Sequence, residues 1–210
     1  MTNRAKTASI PGHTEASLAA LLREVRACRA CEAALPLGPR PVLRVSVTAR
    51  ILIVGQAPGT RVHETGVPWN DPSGDRLRDW LELSRDAFYD ESRIAIIPMG
   101  YCYPGRNERG GDLPPRKECA ELWLPRLLEC LPDRVLTLLA GGYAQRQYLG
   151  DLVKPTLTET VRAWREYAPE YIPLPHPSFR NLRWLKQNSW FEEEMIPDLR
   201  KAAHRVLRAN

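Results

Sequence analysis

Long hydrophobic runs are missing from this chain. No segment approaches the ~20 consecutive apolar residues that a bilayer-crossing helix needs, which argues against a membrane protein. Residues 1–13 mix Lys, Arg, Thr and Pro without an apolar run of signal-peptide length, so a cytoplasmic location is expected. No internal repeat is present, which removes solenoids and arrays. Cysteine is sparse and odd in number. Five thiols without a secretory signal argue against a disulfide framework and leave a metal or redox role open to four of them.

What is present bounds the answer further. A chain of 210 residues with 43% apolar and 26% charged residues fits one compact domain. That domain is expected over residues 14–210, behind a flexible tail over residues 1–13, and as a monomer. The net charge of +5 and pI near 9.1 suit a polyanion partner, a weak signal by itself.

Leu18, Leu21, Leu22, Val25 and Cys28 recur at helical spacing behind a possible N-cap, Thr14. A first helix should therefore deliver Cys28 and Cys31 near its end. Ile51–Val54 reads as a buried strand ending in a glycine loop. A helix is expected from about Ser73, with Leu77, Trp80, Leu81 and Phe88 on one face. A second strand should span residues 94–99, followed by a Gly- and Pro-rich connection over residues 100–115, long for such a loop. Cys119 to Cys130 should be helical, with a kink at Pro125 and Cys130 in the core. A third strand is expected over residues 135–140 and a fourth before His176. The last helix should run from about Glu192 to Leu207. Strands alternating with helices imply a three-layer α/β/α sandwich around a mainly parallel four-stranded sheet, with the site beyond the strand C-termini.

Three loops and the cysteines carry the chemistry. Gly55-Gln56-Ala57-Pro58-Gly59 follows the first strand, and its glycines allow close backbone approach, although a plain turn explains them as well. Trp69-Asn70-Asp71 sets an aromatic two residues ahead of a carboxylate just before a helix. The aromatic can stack on a flat base and the carboxylate can orient water, or Asp71 can simply cap the helix. His176-Pro177-Ser178-Phe179-Arg180-Asn181 follows the last strand with groups suited to a phosphate backbone. Cys28 and Cys31 form a CxxC pair, seventy residues separate Cys31 from Cys102, and sixteen more separate Cys102 from Cys119. Four thiolates hold either zinc or an iron–sulfur cluster, and spacing alone does not choose.

In this order, GQAPG, the Asn70–Leu77 segment and HPSFRN resemble the motifs of the uracil-DNA glycosylase superfamily, iron–sulfur type. The first motif is similar to the GEAPG of family four, with Gln56 where that family has a water-orienting Glu. Asn70-Asp71-Pro72-Ser73-Gly74-Asp75-Arg76-Leu77 is similar to the family-five segment that carries a catalytic Asp. The four cysteines match the ligands of a 4Fe-4S cluster in those families. The residue that reads the uracil edge in family four falls here on Pro98, which opens the base specificity.

The resemblance implies a monofunctional DNA glycosylase of base excision repair. It would flip out uracil, or hypoxanthine or xanthine, and hydrolyse the N-glycosidic bond. Asp71 and Gln56 would position water, and His176 with backbone amides would stabilise the departing base. Gly55, Ala57, Trp69 and Asn70 would hold the base, and Ser178, Arg180 and Asn181 the phosphates. Phe179 or Leu182 would fill the vacated stack, unless Phe179 packs in the core. Arg106 and Arg109 would add phosphate contacts, and no lysine nucleophile is implied. Two other classes stay open: a catalytically weak damaged-DNA-binding protein of the same fold, favoured by Gln56 and Pro98, and a zinc protein with small-molecule activity.

Overall fold

The computed structural model of the chain describes residues 14–108, 110–131 and 134–209. The expected tail over residues 1–13 and Arg109 lie outside these. Four strands, β1 (Ile51–Val54), β2 (Ile94–Ile96), β3 (Leu136–Ala140) and β4 (Tyr171–Leu174), form one sheet in the order β2-β1-β3-β4, every pair parallel. Parallel neighbours cannot be joined by tight turns, and helices supply the crossovers. Helix α1 (Glu15–Arg26) precedes β1. Helices α2 (Thr60–Thr65), α3 (Pro72–Leu81) and α4 (Arg85–Phe88) join β1 to β2, and α5 (Lys117–Leu122) and α6 (Leu124–Glu129) join β2 to β3. Helices α7 (Gly142–Leu149), α8 (Leu157–Arg162) and α9 (Trp164–Tyr167) join β3 to β4, and α10 (Leu182–Gln187) and α11 (Ile196–Arg208) follow.

The strands are apolar on both faces because both faces are covered. Ile51 and Ile53 point into one core with Leu77, Phe88 and Leu199, whereas Leu52 and Val54 point into a second with Leu18, Val25, Leu127 and Ala144. The sheet thus separates two cores, and the expected three layers are present. No helix among the described residues is long and apolar enough to cross a membrane.

Several boundaries differ from the sequence reading for local reasons. Helix α3 stops at Leu81 because Glu82 turns left-handed (φ 54°), so Phe88 reaches the same core from a separate helix capped by Ser84. Strand β2 ends at Ile96. The amides of Ile97 and Met99 still donate to the carbonyls of Ile53 and Gly55. Pro98 sits between them where an N–H would face the opposite side, as that of Ile96 does toward Arg44, so the proline is tolerated on this edge strand. The helix expected from Cys119 to Cys130 breaks into α5 and α6 at Trp123, two residues before Pro125, and Cys130 is buried as expected. A π-helical turn over Phe191–Met195 delays the final helix to Ile196.

Candidate active site

The loops that leave β1 and β4 and the N-terminus of α3 converge on one pocket of about 540 Å³. Gly55, Gln56, Ala57, Trp69, Asp71, His176, Ser178, Arg180 and Asn181 all line it. Asn70 does not. Its side-chain oxygen accepts from Arg85 Nη2 at 2.8 Å, outside the pocket lining.

Glycine is needed in the first loop for a steric reason. A Cβ on Gly55 would lie 2.7 Å from Trp69 Cζ2, so the loop and the indole can touch only without a side chain. Gln56 donates through Nε2 to the carbonyl of Leu113 at 3.2 Å, which leaves its own side-chain carbonyl as the uncommitted acceptor. Trp69 is held from several sides. Its backbone is left-handed (φ 55°), its carbonyl accepts from the buried Arg78 at 3.2 Å, and a Cβ on Gly74 would lie 1.7 Å from that carbonyl. The ring lies 5.5 Å from that of His176, centroid to centroid, at 33°. Trp69 is only 9% exposed and forms part of the core. It is a fixed wall rather than a mobile flap.

Asp71 caps α3, its Oδ1 accepting from the amide of Gly74 at 2.8 Å. The ordinary capping role therefore holds, and the carboxylate lines the pocket as well. His176 is fixed through its backbone, whose carbonyl accepts from Asn181 Nδ2 at 2.7 Å, while the next carbonyl, of Pro177, accepts from Arg76 Nη1 at 2.7 Å. Burial pushes the imidazole pKa below the ordinary histidine range, and the nearby carboxylates of Asp71 and Asp112 only partly oppose this. His176 is thus neutral at neutral pH, able to donate a hydrogen bond without carrying a charge.

Arg180 and Asn181 are partly committed to building the site. Arg180 Nη2 donates to the carbonyl of Gly110 at 2.6 Å, as Asn181 does to His176. Phe179 is 69% exposed, so packing in the core is excluded for it, and Leu182 is exposed beside it. The connection over residues 100–115 folds into a hairpin-like flap in which Arg106 pairs with Asp112 and the amide of Leu113 bonds to the carbonyl of Gly105. Its carbonyls anchor both Gln56 and Arg180. Sequence reasoning missed Asp112 and Arg61, which also line the pocket: Asp112 lies far along the connection after β2 and Arg61 in the first turn of α2, and neither belongs to one of the three motif loops.

The flap is bracketed by Cys102 and Cys119, and these two line a second, small pocket together with Cys28 and Cys31. Leu35, Pro39, Pro41, Tyr101 and Trp123 complete its walls. Two of the sulfurs accept from N–H donors. The indole of Trp123 donates to Cys28 and the amide of Tyr101 to Cys119, both at 3.4 Å. Burial above all pushes the thiols of Cys31, Cys102 and Cys119 up, Cys102 to about 11 and Cys119 to about 12. Among the described residues, no group of three or more His, Cys, Asp or Glu side chains is gathered as a metal ion requires. A single tetrahedral zinc would need sulfurs about 3.8 Å apart. The four thiols line a common space with mostly apolar walls and two N–H donors, and four thiols are the ligand chemistry of a thiolate-bound cluster.

The sequence profile of the uracil DNA glycosylase superfamily matches residues 44–200, three quarters of the chain and all three pocket loops. This chain belongs to that superfamily. A solution NMR structure from Methanosarcina acetivorans, provisionally described as a uracil DNA glycosylase, is similar at 17% identity with a TM-score of 0.42, over 75% of this chain and 93% of that one. The superfamily consists of DNA-repair hydrolases that cleave N-glycosyl bonds, and DNA is accordingly the substrate class. The profile covers Cys102 and Cys119 but begins after Cys28 and Cys31, so the complete set of four is not carried by membership itself.

Proposed function

We propose that the protein is a monofunctional glycosylase for deaminated bases, uracil first and hypoxanthine or xanthine also, with an iron–sulfur cluster on Cys28, Cys31, Cys102 and Cys119. The observation that carries this reading is the convergence of Gln56, Asp71 and His176 on one pocket. Extruding a base costs a few kcal/mol, and the pocket must recover it by contact. Trp69 and the Gly55–Ala57 backbone offer a flat, fixed surface for that purpose.

Breaking the N-glycosidic bond leaves positive charge on the sugar and negative charge on the base. A neutral His176 is suited to donate to the base oxygen as charge develops there, since it gains most when the acceptor becomes anionic. Asp71 can orient water from its free oxygen and stabilise the cationic sugar while its other oxygen caps α3. The Gln56 carbonyl, directed by the bond to Leu113, is the second acceptor for that water. Ser178 and Arg106 are the groups suited to phosphate. When bound, the cluster supplies cross-linking rather than reaction chemistry, tying the flap and α5 to the segment after α1.

The test combines activity and composition. Purified protein is expected to leave alkali-labile sites in uracil-containing duplex or single strands, to be brown, and to contain iron. DNA binding without any alkali-labile product on uracil, hypoxanthine or xanthine would favour the catalytically weak binding protein instead. A colourless, zinc-containing preparation would remove the cluster from this reading while leaving the glycosylase in place.

A further inference from the structure

The catalytic pocket lies at the C-terminal ends of the strands, and a distinct basic surface lies elsewhere. Arg200, Lys201, His204, Arg205 and Arg208 line an open groove on α11, with Glu82 as the sole acidic residue lining it. Arg200 donates to the carbonyls of Asp79 and Trp80, and a ring nitrogen of His204 lies 3.0 Å from the carbonyl of Leu81. Both residues thus sit against the C-terminal end of α3, whose N-cap is Asp71. The ten residues of α3 place about 15 Å between the two sites. Arg50, just before β1, bonds to the carbonyl of Ala209 at the edge of the groove, which fixes the groove at the N-terminal end of the sheet.

The basic residues form a ladder. Arg200 and Lys201, then His204 and Arg205, then Arg208 follow at intervals of four residues, giving rungs about 6 Å apart on one face of the helix. Each strand of a duplex offers a phosphate every ~3.4 Å of its axis, so every rung can meet one. Neither Arg205 nor Arg208 has an ion-pair partner among the described residues, and Lys201 has only Asp198 at 3.9 Å. The groove contains no aromatic or large aliphatic side chain, and so lacks the anchors on which a protein interface depends. A ligand bound here would gain mainly by counterion release.

We infer that α11 is a second DNA-binding surface, which holds the phosphate backbone of a duplex segment other than the one in the pocket. This rests on the DNA-glycosylase reading only in its choice of polyanion, and it makes the protein a bridge between two segments. The variant Lys201→Ala/Arg205→Ala/Arg208→Ala leaves Arg200 and His204 in place against α3. Two measurements test it on the full chain with undamaged DNA: capture of a fluorescent duplex by a bead-tethered duplex, and the slope of log affinity against log salt.

The wild type is expected to bridge. The triple variant should lose bridging and release two to three fewer counterions, while excising uracil from a short duplex within twofold of the wild-type rate. A wild type that does not bridge, or a variant that keeps both bridging and slope, would overturn the inference. So would retention of poly-glutamate but not duplex, which would assign the ladder to an acidic protein segment. Bridging without any excision would count against the catalytic reading alone.

Discussion

Asp71 does two jobs with two oxygens, and the choice of substitution decides which is measured. Asp71→Asn retains a capping oxygen and removes the charge, so excision should fall at least tenfold, about 1.4 kcal/mol in the barrier, with little change in melting temperature. Asp71→Ala should lose the same activity and about 1 kcal/mol of stability as well. Gln56→Ala should have the smaller kinetic effect. If it abolishes excision while Asp71→Asn does not, Gln56 is the residue that positions water. His176 makes a separate prediction through pH. Its pKa is lowered by folding, so the unfolded chain takes up the proton first as pH falls through about 6.5. Stability is therefore complete above that pH and declines below it. Urea unfolding at pH 7.5 and 5.5 should show a smaller acid loss in His176→Gln than in the wild type.

Gly74 illustrates what the sequence hides. It stands in the first turn of α3, where most residues are tolerated, yet an added Cβ would overlap the Trp69 carbonyl. Gly74→Ala should shift the tryptophan and cost roughly 1–3 kcal/mol, with a larger loss in excision than in fold, as thermal melts and single-turnover rates would show. Among the expected site residues, those next to strand ends were legible because period and punctuation mark a strand and its loop. The contact of Asn70 with Arg85 was not legible, because Arg85 lies on another helix. Asp112 and Arg61 were invisible because the fold alone brings them to the pocket.

Among the elements, strands were easier to read than helices. The four apolar runs are short and continuous, and burial on both faces leaves no other use for them. The helices between β3 and β4 carried no clear period, since each is only one or two turns long and takes its stability from the sheet it covers. The flap over residues 100–115 was legible as a long loop but not as the roof of the pocket. Its carbonyls hold Gln56 and Arg180, and its two ends are Cys102 and Cys119. With the cluster proposed above, Cys102→Ser is expected to remove its visible absorbance and to lower excision more than Cys130→Ser. Cys130 lies in the core away from the flap, so absorbance and rate measured on the two variants separate the roles.

At the scale of the whole molecule, the order of strands in space is not their order along the chain. Strand β1 sits inside the sheet and pairs with both β2 and β3, and β4 closes the far edge. The four pocket cysteines, Gln56 and Asp71 lie before residue 120, whereas His176 follows the last strand. During synthesis, then, those residues emerge well ahead of His176. The imidazole proposed to stabilise a departing base joins the pocket only after β4, the last strand to be made, has paired with β3.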